Sequence, residues 1–337
     1  MTFFARFATR PVIIAELGAK YAPMDVIERT IVAAKRAGAD LVKFQTYRAD
    51  TLATPGSTFT LEDGAVVSQH DFFARYELTL EDHERIDACC REHGIGWLST
   101  PSHGDDVALL ERFDPIAYKT GSDELTNLSF LRLIAEKGRP MIVATGMSTL
   151  AEVERAVAAI VATGNEQLVL LHAVTSYPST IESANLRAIE TLARAFGFPV
   201  GLSDHTVDEL TSVLATALGA AVIEKHVVLD HALGLPDDQA SLDPEELARL
   251  VERVRLTPRA LGDGIKRPQA SELKWRSAAR KSLHATRNIA RGEVILEGDV
   301  TVRRPAQGIA PEHLEVVLGR SAQQAILAGA AISWDMV

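Results

Sequence analysis

Met141-Ile142-Val143-Ala144-Thr145 is a short apolar run ending on a hydroxyl, and beyond it Leu150, Val153, Val157 and Ile160 recur at helical spacing. A run this brief and this continuously apolar reads as a strand covered on both faces, so run and helix together form one βα unit. The same unit recurs in both directions along the chain. The other runs are Val12–Glu16, Leu41–Thr46, Ile95–Thr100, Pro115–Lys119, Leu168–Ala173, Pro199–Ser203 and Ala221–His226. The helical segments are Met24–Ala37, Leu80–His93, Asp105–Phe113, Leu128–Glu136, Leu150–Ala162, Asn185–Phe196, Val207–Leu218 and Pro244–Leu256.

Eight βα units read as an α/β chain folded into a (β/α)8 TIM barrel of about 250 residues. A doubly wound open sheet is the alternative; it is opposed by the number of units and by the lack of a Gly-x-Gly-x-x-Gly after the first run. Leu242-Asp243-Pro244-Glu245-Glu246 marks the last helix start, with an N-cap candidate, Pro at the first helical position and acids at the positive end of the dipole. The barrel is assigned to residues 1–262. A charged, Pro-containing stretch at 263–281 reads as a linker, and turn residues at Gly292, Gly298, Pro305, Gly308, Pro311, Gly319 and Gly329 make 282–337 a small β-rich domain. At that size the domain is expected to lean on another surface.

The chain has 337 residues, 47% hydrophobic and 24% charged, which fits a large domain plus a smaller one and excludes general disorder. Its net charge of −10 argues against nucleic acid as a partner. Phe3, Phe4 and Phe7 are interrupted by Arg6 and Arg10, so no signal peptide is expected, and no run approaches the ~20 apolar residues of a membrane span. Adjacent Cys89 and Cys90 fit a reduced, cytoplasmic setting.

Barrel strands converge at their C-terminal ends, where such folds carry their sites. Those ends bring Glu16; Lys43 and Gln45; Ser99 and Thr100; Lys119, Ser122 and Glu124; Thr145; His172, Ser176 and Tyr177; Ser203, Asp204 and His205; and Glu224, Lys225 and His226. Polar strand ends meet solvent in any barrel. Lysines after buried runs, however, require an anion or an acid to offset desolvation. Lys43 and Lys119 with the Thr100 and Ser122 hydroxyls suit a phosphorylated, carboxylated substrate. His205 and His226 close neighbouring strands and either share a divalent cation or each bond a backbone carbonyl. Glu16, Glu124 and Asp237 are acids able to act as base or sugar ligand.

Several stretches together resemble the sialic acid synthase family, the N-acetylneuraminate, legionaminate and pseudaminate synthases. They are Ile14–Gly18, Ala37–Thr46, Leu98–Pro101, Tyr118–Asn127, Thr145-Gly146-Met147, Ser176-Tyr177-Pro178, Gly201–Thr206 and Ile223–His226. Ile289–Ile295 and Arg303-Arg304-Pro305 are similar to the antifreeze-like SAF domain that ends these synthases. The resemblance implies a TIM barrel followed by that SAF domain. It implies a metal-dependent condensation of phosphoenolpyruvate with an N-acetylated amino sugar aldehyde, giving a nonulosonic acid and phosphate. On it, Lys43, Thr100, Lys119, Ser122 and Ser203 hold phosphoenolpyruvate. Glu16, Gln45, Glu124, Tyr177 and Asp237 surround the sugar and the reacting carbons, Glu16, Glu124 and Lys119 being the catalytic candidates and Glu124 the first choice to guide a water. His205 and His226 bind the metal, Mn²⁺ first, with Mg²⁺ or Co²⁺ as alternatives. Arg304 enters the partner's barrel in a domain-swapped homodimer.

The chain also departs from that pattern. Ala19-Lys20-Tyr21-Ala22 replaces an Asn-His-Asn-Gly segment, Ala144 stands in place of a serine, and Asp238 stands in place of a histidine. The first and third changes fall on the sugar side. Two rivals remain at this level: a Schiff-base aldolase using Lys119 or Lys225, and a non-catalytic sugar-binding relative.

Overall fold

The computed structural model describes residues 10–60 and 65–337. Phe3, Phe4, Arg6 and Phe7 lie outside them. The chain divides into two compact units, one ending at Gly262 and one running from Asp263 to Val337.

The first unit is the barrel. Its strands are β1 (Val12–Glu16), β2 (Leu41–Thr46), β3 (Gly96–Pro101), β4 (Tyr118–Thr120), β5 (Met141–Ala144), β6 (Leu168–Ala173), β7 (Val200–Asp204) and β8 (Val222–His226). They form one sheet in the order β3-β2-β1-β8-β7-β6-β5-β4, every pair parallel. β3 packs beside β4 across the remaining seam. β4 begins later than the sequence reading because Pro115 has no amide to give to a ladder.

The helices that follow the strands are α1 (Met24–Ala37), α2 (Leu80–His93), α3 (Gly104–Glu111), α4 (Leu128–Ala135), α5 (Leu150–Val161), α6 (Ala188–Phe196), α7 (Leu210–Ala217) and α8 (Pro244–Leu261). Thr79 with Asp82, Thr149 with Glu152, and Asp243 with Glu246 close reciprocal capping boxes at α2, α5 and α8. Between β2 and α2 the chain inserts the helix Ala49–Leu52, an antiparallel pair Thr58–Thr60 and Val66–Ser68, and the helix Gln69–Ala74, none of which the sequence periodicity signalled.

Side chains alternate across the strands and divide the core in two. Ile13, Ala15, Val42, Phe44, Tyr118, Val143, Leu170, Leu202 and Ile223 pack outward against the helices. Val12, Ile14, Leu41, Leu98, Ile142, Val169, Leu171 and Val222 fill the lower barrel. Gly201 belongs to this inner layer because a Cβ there would stand 2.4 Å from the Val222 carbonyl oxygen. One step further along each strand the inward positions turn polar, and there the site begins.

In the second unit β9 (Ser282–Ala285) pairs antiparallel with β10 (Val300–Arg303), and single bridges join His284 to Ala331, Ile289 to Ile326 and Val294 to Ser321. Leu283, Ile289, Ile295, Ile309, Val317, Ile326 and Ile332 are buried together, so the unit has a core of its own. The stretch expected as an extended linker carries the helix Leu273–Ala279, and Ser277 accepts a hydrogen bond from the Ala306 amide.

Candidate active site

Period two along the strands sends Glu16, Lys43, Thr100, Lys119, Ser203, His205, Glu224 and His226 inward above the apolar layer. With Gln45, Ser122 and Tyr177 they line a cavity of about 260 Å³ at the C-terminal ends of the strands. The opposite parity places Ser99, His172, Asp204 and Lys225 on the helix side. Ser99 and His83 both bond Thr46, and His172 bonds the Ala184 carbonyl. Lys225, fully buried, lies 3.4 Å from Asp204 and donates to the carbonyls of Thr206 and Asp208. It cannot serve as a cavity nucleophile.

The cavity floor is two lysines interleaved with two glutamates. Lys43 Nζ lies 2.8 Å from Glu16 and 3.9 Å from Glu224, and Lys119 Nζ lies 3.5 Å from Glu224. All four are at most 4% exposed. The acid partners that the buried lysines required are therefore present in the chain itself. Lys43 donates to Thr100 Oγ1 at 3.2 Å, and Ser203 donates to Glu224 at 2.9 Å. Burial pulls the Lys43 ammonium down, but the two glutamates outweigh it and hold it above the ordinary lysine value. Lys119, with burial dominant and Lys43 nearby, lies below that value. Burial would raise the Glu224 carboxyl, yet Lys119 and Lys43 hold it below the usual carboxylate range.

Glu224, named among the polar strand ends but given no role by the sequence reading, belongs to the site. The signal was available: Val222 faces the core, so Glu224 and His226 share its face while Lys225 faces away.

Toward the mouth, Gln45 donates to Glu16 at 3.1 Å and Ser122 accepts from the Gly146 amide at 3.0 Å. A Cβ on Gly146 would meet Ser122 Oγ at 2.7 Å, so only glycine allows this approach. His205 Nδ1 donates to the Val174 carbonyl at 2.8 Å, so Nε2 carries the lone pair, with Ser203 Oγ 3.4 Å away. Burial, reinforced by His226, pushes this imidazole down to about 4, keeping it in the neutral form that coordinates metals. The two rings are 5.6 Å apart, and Asp237 lies 3.5 Å from His226 Nδ1. Two imidazoles and a carboxylate are donor types that a divalent transition-metal cation takes.

Two expected residues fall elsewhere, and a third, Asp237, stands at the edge of the site. Glu124 does not line the cavity: it accepts from Asn127 at 2.8 Å, and its neighbour Asp123 faces the cavity instead. Asp237 reaches the site through His226. Arg304 belongs to the second unit, where it is exposed and makes no side-chain hydrogen bond or ion pair among the described residues. Of the departures, Lys20 is clamped on Asp82 at 2.7 Å, Tyr21 packs edge-on against Tyr76 at 5.0 Å, and Asp238 turns back onto the Leu235 amide. Ala144 lines the cavity.

Residues 30–266 match the NeuB family and residues 280–337 match the SAF domain. The chain is 36% identical to an N,N'-diacetyllegionaminic acid synthase of Legionella pneumophila over 96% of this chain and 94% of that protein. It is 39% identical to a pseudaminic acid synthase of Campylobacter jejuni over 95% and 94%. The crystal structure of an N-acetylneuraminic acid synthetase from Leptospira borgpetersenii in complex with citrate superposes with a TM-score of 0.71 at 30% identity, covering 79% of this chain and 90% of that one.

Proposed function

The chain belongs to the NeuB family, and on that premise we propose that it condenses phosphoenolpyruvate with an N-acylated amino sugar aldehyde to give a nonulosonic acid and inorganic phosphate. The observation that carries the reading is the placement of Lys43 and Lys119 on one cavity with the Thr100, Ser122 and Ser203 hydroxyls. Two fixed ammonium groups and the Thr100 and Ser122 hydroxyls are donors for a phosphate and a carboxylate held at once, with Ser203 committed to Glu224.

Bound there, phosphoenolpyruvate presents C3 to the aldehyde in near-attack geometry. The new C–C bond forms as the carbonyl π pair moves to oxygen, which takes up a proton. Water adds to the cationic C2 centre and gives a proton to a carboxylate. The C2–O bond to phosphate then breaks, leaving a 2-keto acid and phosphate. In place of Glu124, first choice on the sequence, we assign this role to Glu16, which faces the cavity paired with Lys43 and Gln45, whereas Glu224 is shared by Ser203 and both lysines. His205 and His226 would hold a divalent cation, Mn²⁺ before Mg²⁺ or Co²⁺, which when bound supplies Lewis acidity toward a carbonyl oxygen.

The working unit in this reading is a homodimer in which Arg304 of one protomer completes the site of the other. Its exposure, with no side-chain partner among the described residues of its own chain, supports the role. The free thiols of Cys89 and Cys90 support a cytoplasmic setting, and no described helix is long and apolar enough to cross a membrane. The comparisons lend nothing to a Schiff-base aldolase, and Lys225 is turned away from the cavity.

The test is phosphate release from phosphoenolpyruvate across N-acetylated hexosamines and their 2,4-diacetamido-6-deoxy relatives, with Mn²⁺. Release with at least one acceptor, abolished by chelator, is expected. A borohydride-trapped lysine adduct with pyruvate would overturn the reading. For the dimer, mixing Lys119→Met and Arg304→Ala chains should restore activity. Verified heterodimers without recovery would refute the exchange.

A further inference from the structure

The first stretch of the second unit carries a charge pattern that the synthase reading leaves unused. Residues 263–281 hold six Lys and Arg against Asp263 and Glu272, in a chain whose net charge is −10. Both acids are engaged: Asp263 pairs with Arg267 at 2.6 Å, and Glu272 accepts from the Gln269 amide at 2.7 Å. Lys266, Arg276 and Arg280 make no side-chain hydrogen bond or ion pair among the described residues.

These cations are gathered rather than scattered. Trp275 and Arg276 lie on the helix Leu273–Ala279, and Arg280 follows one turn beyond Arg276, so helical spacing sets them on one side. With Lys266, Arg267 and Pro268 they line a recess of about 470 Å³, a volume within the range of small-molecule pockets. The Trp275 indole in its wall is 61% exposed, and Lys274 Nζ borders the ring at 5.6 Å from its centroid. Two costs meet here: apolar ring surface stays wet, and like charges stay close without a counter-ion. A single carboxylate would offset one charge of three, and an inorganic anion would leave the indole bare. A planar heterocycle bearing two or more phosphate charges engages both the ring and the cations.

We propose that this recess is a nucleotide-binding site, the base stacking on Trp275 and the phosphates pairing with Lys266, Arg276 and Arg280. It lies wholly within residues 263–337, so it does not depend on the synthase reading.

Calorimetric titration of the full-length, metal-free protein with ADP, adenosine and inorganic pyrophosphate tests this. ADP is expected to bind about tenfold tighter than pyrophosphate, the contribution of one stacked base, with adenosine the weakest of the three. Trp275→Leu, at an exposed position outside the core, should bring ADP down to the pyrophosphate level and leave pyrophosphate unaltered. Arg276→Gln should weaken ADP and pyrophosphate alike, as should raising the salt to about 1 M. ADP binding no tighter than pyrophosphate, or equal ADP affinity in wild type and Trp275→Leu, would overturn the inference. Anion binding undiminished in Arg276→Gln would place it on the barrel lysines and overturn it too. So would a wild type that ignores ADP but loses self-association on Trp275→Leu, which would make the patch a contact between copies of the chain.

Discussion

The two units treat charge in opposite ways. Residues 263–337 hold 11 Lys and Arg against 8 Asp and Glu, leaving 24 against 37 in residues 1–262, so the barrel carries the acid excess. Yet the barrel puts Glu16, Lys43, Lys119, Asp204, Glu224 and Lys225 in its interior, each at most 4% exposed. In the second unit Ser282, His284 and Asp299 are the buried polar residues among those described, and the ion pairs of Arg287 with Asp299 and Glu293 sit at the rim. Burying ions costs several kcal/mol each before pairing repays it. The barrel accepts that cost mostly where fixed charge lines the cavity, whereas the second unit buries a single carboxylate, Asp299, among its described residues.

The strongest way to break this contrast is at Lys225, whose charge serves no substrate. Lys225→Met leaves Asp204 buried with hydrogen bonds from Thr206, Thr211 and Ser212 but no counter-charge, and strips a donor from the Thr206 and Asp208 carbonyls. The expected loss is about 3–5 kcal/mol of barrel stability. Hydrogen exchange read separately from barrel and tail peptides checks it. Unchanged barrel protection would mean that the pair is dispensable.

Lys119→Met comes next. Glu224 keeps Lys43 and Ser203, so the fold should hold, while one charge-assisted bond to phosphoenolpyruvate disappears. Its affinity should fall by about 1.5–3 kcal/mol with the sugar's little altered. Calorimetric titration with each substrate decides between them. The reverse pattern would invert the assignment of floor and mouth.

How much of this was legible depended on periodicity. Strand ends were readable wherever an apolar run fixed parity, which is why Glu16, Lys43, Lys119 and His226 were found. Glu224 was named but given no role because Glu224-Lys225-His226 presents three ionisable residues in a row and only counting from Val222 separates inward from outward. Glu124 was misplaced for the opposite reason. It lies on the turn after β4, where no repeat decides whether Asp123 or Glu124 faces the cavity. The insertion between β2 and α2 was invisible because strands of three residues carry no usable alternation.

Acid should separate the units further. His205, pushed down to about 4 by burial and by His226, binds a proton less readily when folded than the ordinary histidine value of 6.5 allows when unfolded. His83, lowered chiefly by burial, acts the same way. The unfolded chain therefore binds more protons between those values, and barrel stability is full above pH 6.5 and falls as pH drops toward 4. From pH 7 to 5 the His205 contribution is about 1–2 kcal/mol. Barrel peptides should lose exchange protection over this range in metal-free protein, with a shallower slope in His83→Gln. A flat barrel profile would contradict the buried neutral state of both imidazoles.

The smallest effect is expected at Arg287. Its guanidinium is half-exposed, and its two partners are already held by the backbone: Asp299 accepts from the Leu296 amide at 3.0 Å and Glu293 from the Ala290 amide at 2.8 Å. Arg287→Gln leaves Glu293 free to hydrate and leaves Asp299, though buried, bonded to the Leu296 amide, so neither carboxylate loses all its partners. Exchange in tail peptides should be indistinguishable from wild type. Raising the salt to about 1 M, where the Debye length is near 3 Å, should likewise leave the tail unchanged, because screening removes only what solvent had already weakened. If this substitution opened the tail as far as Lys225→Met opens the barrel, the rim pairs would hold the small unit together. Its charges would then have to be read as structural in the same sense as those inside the barrel.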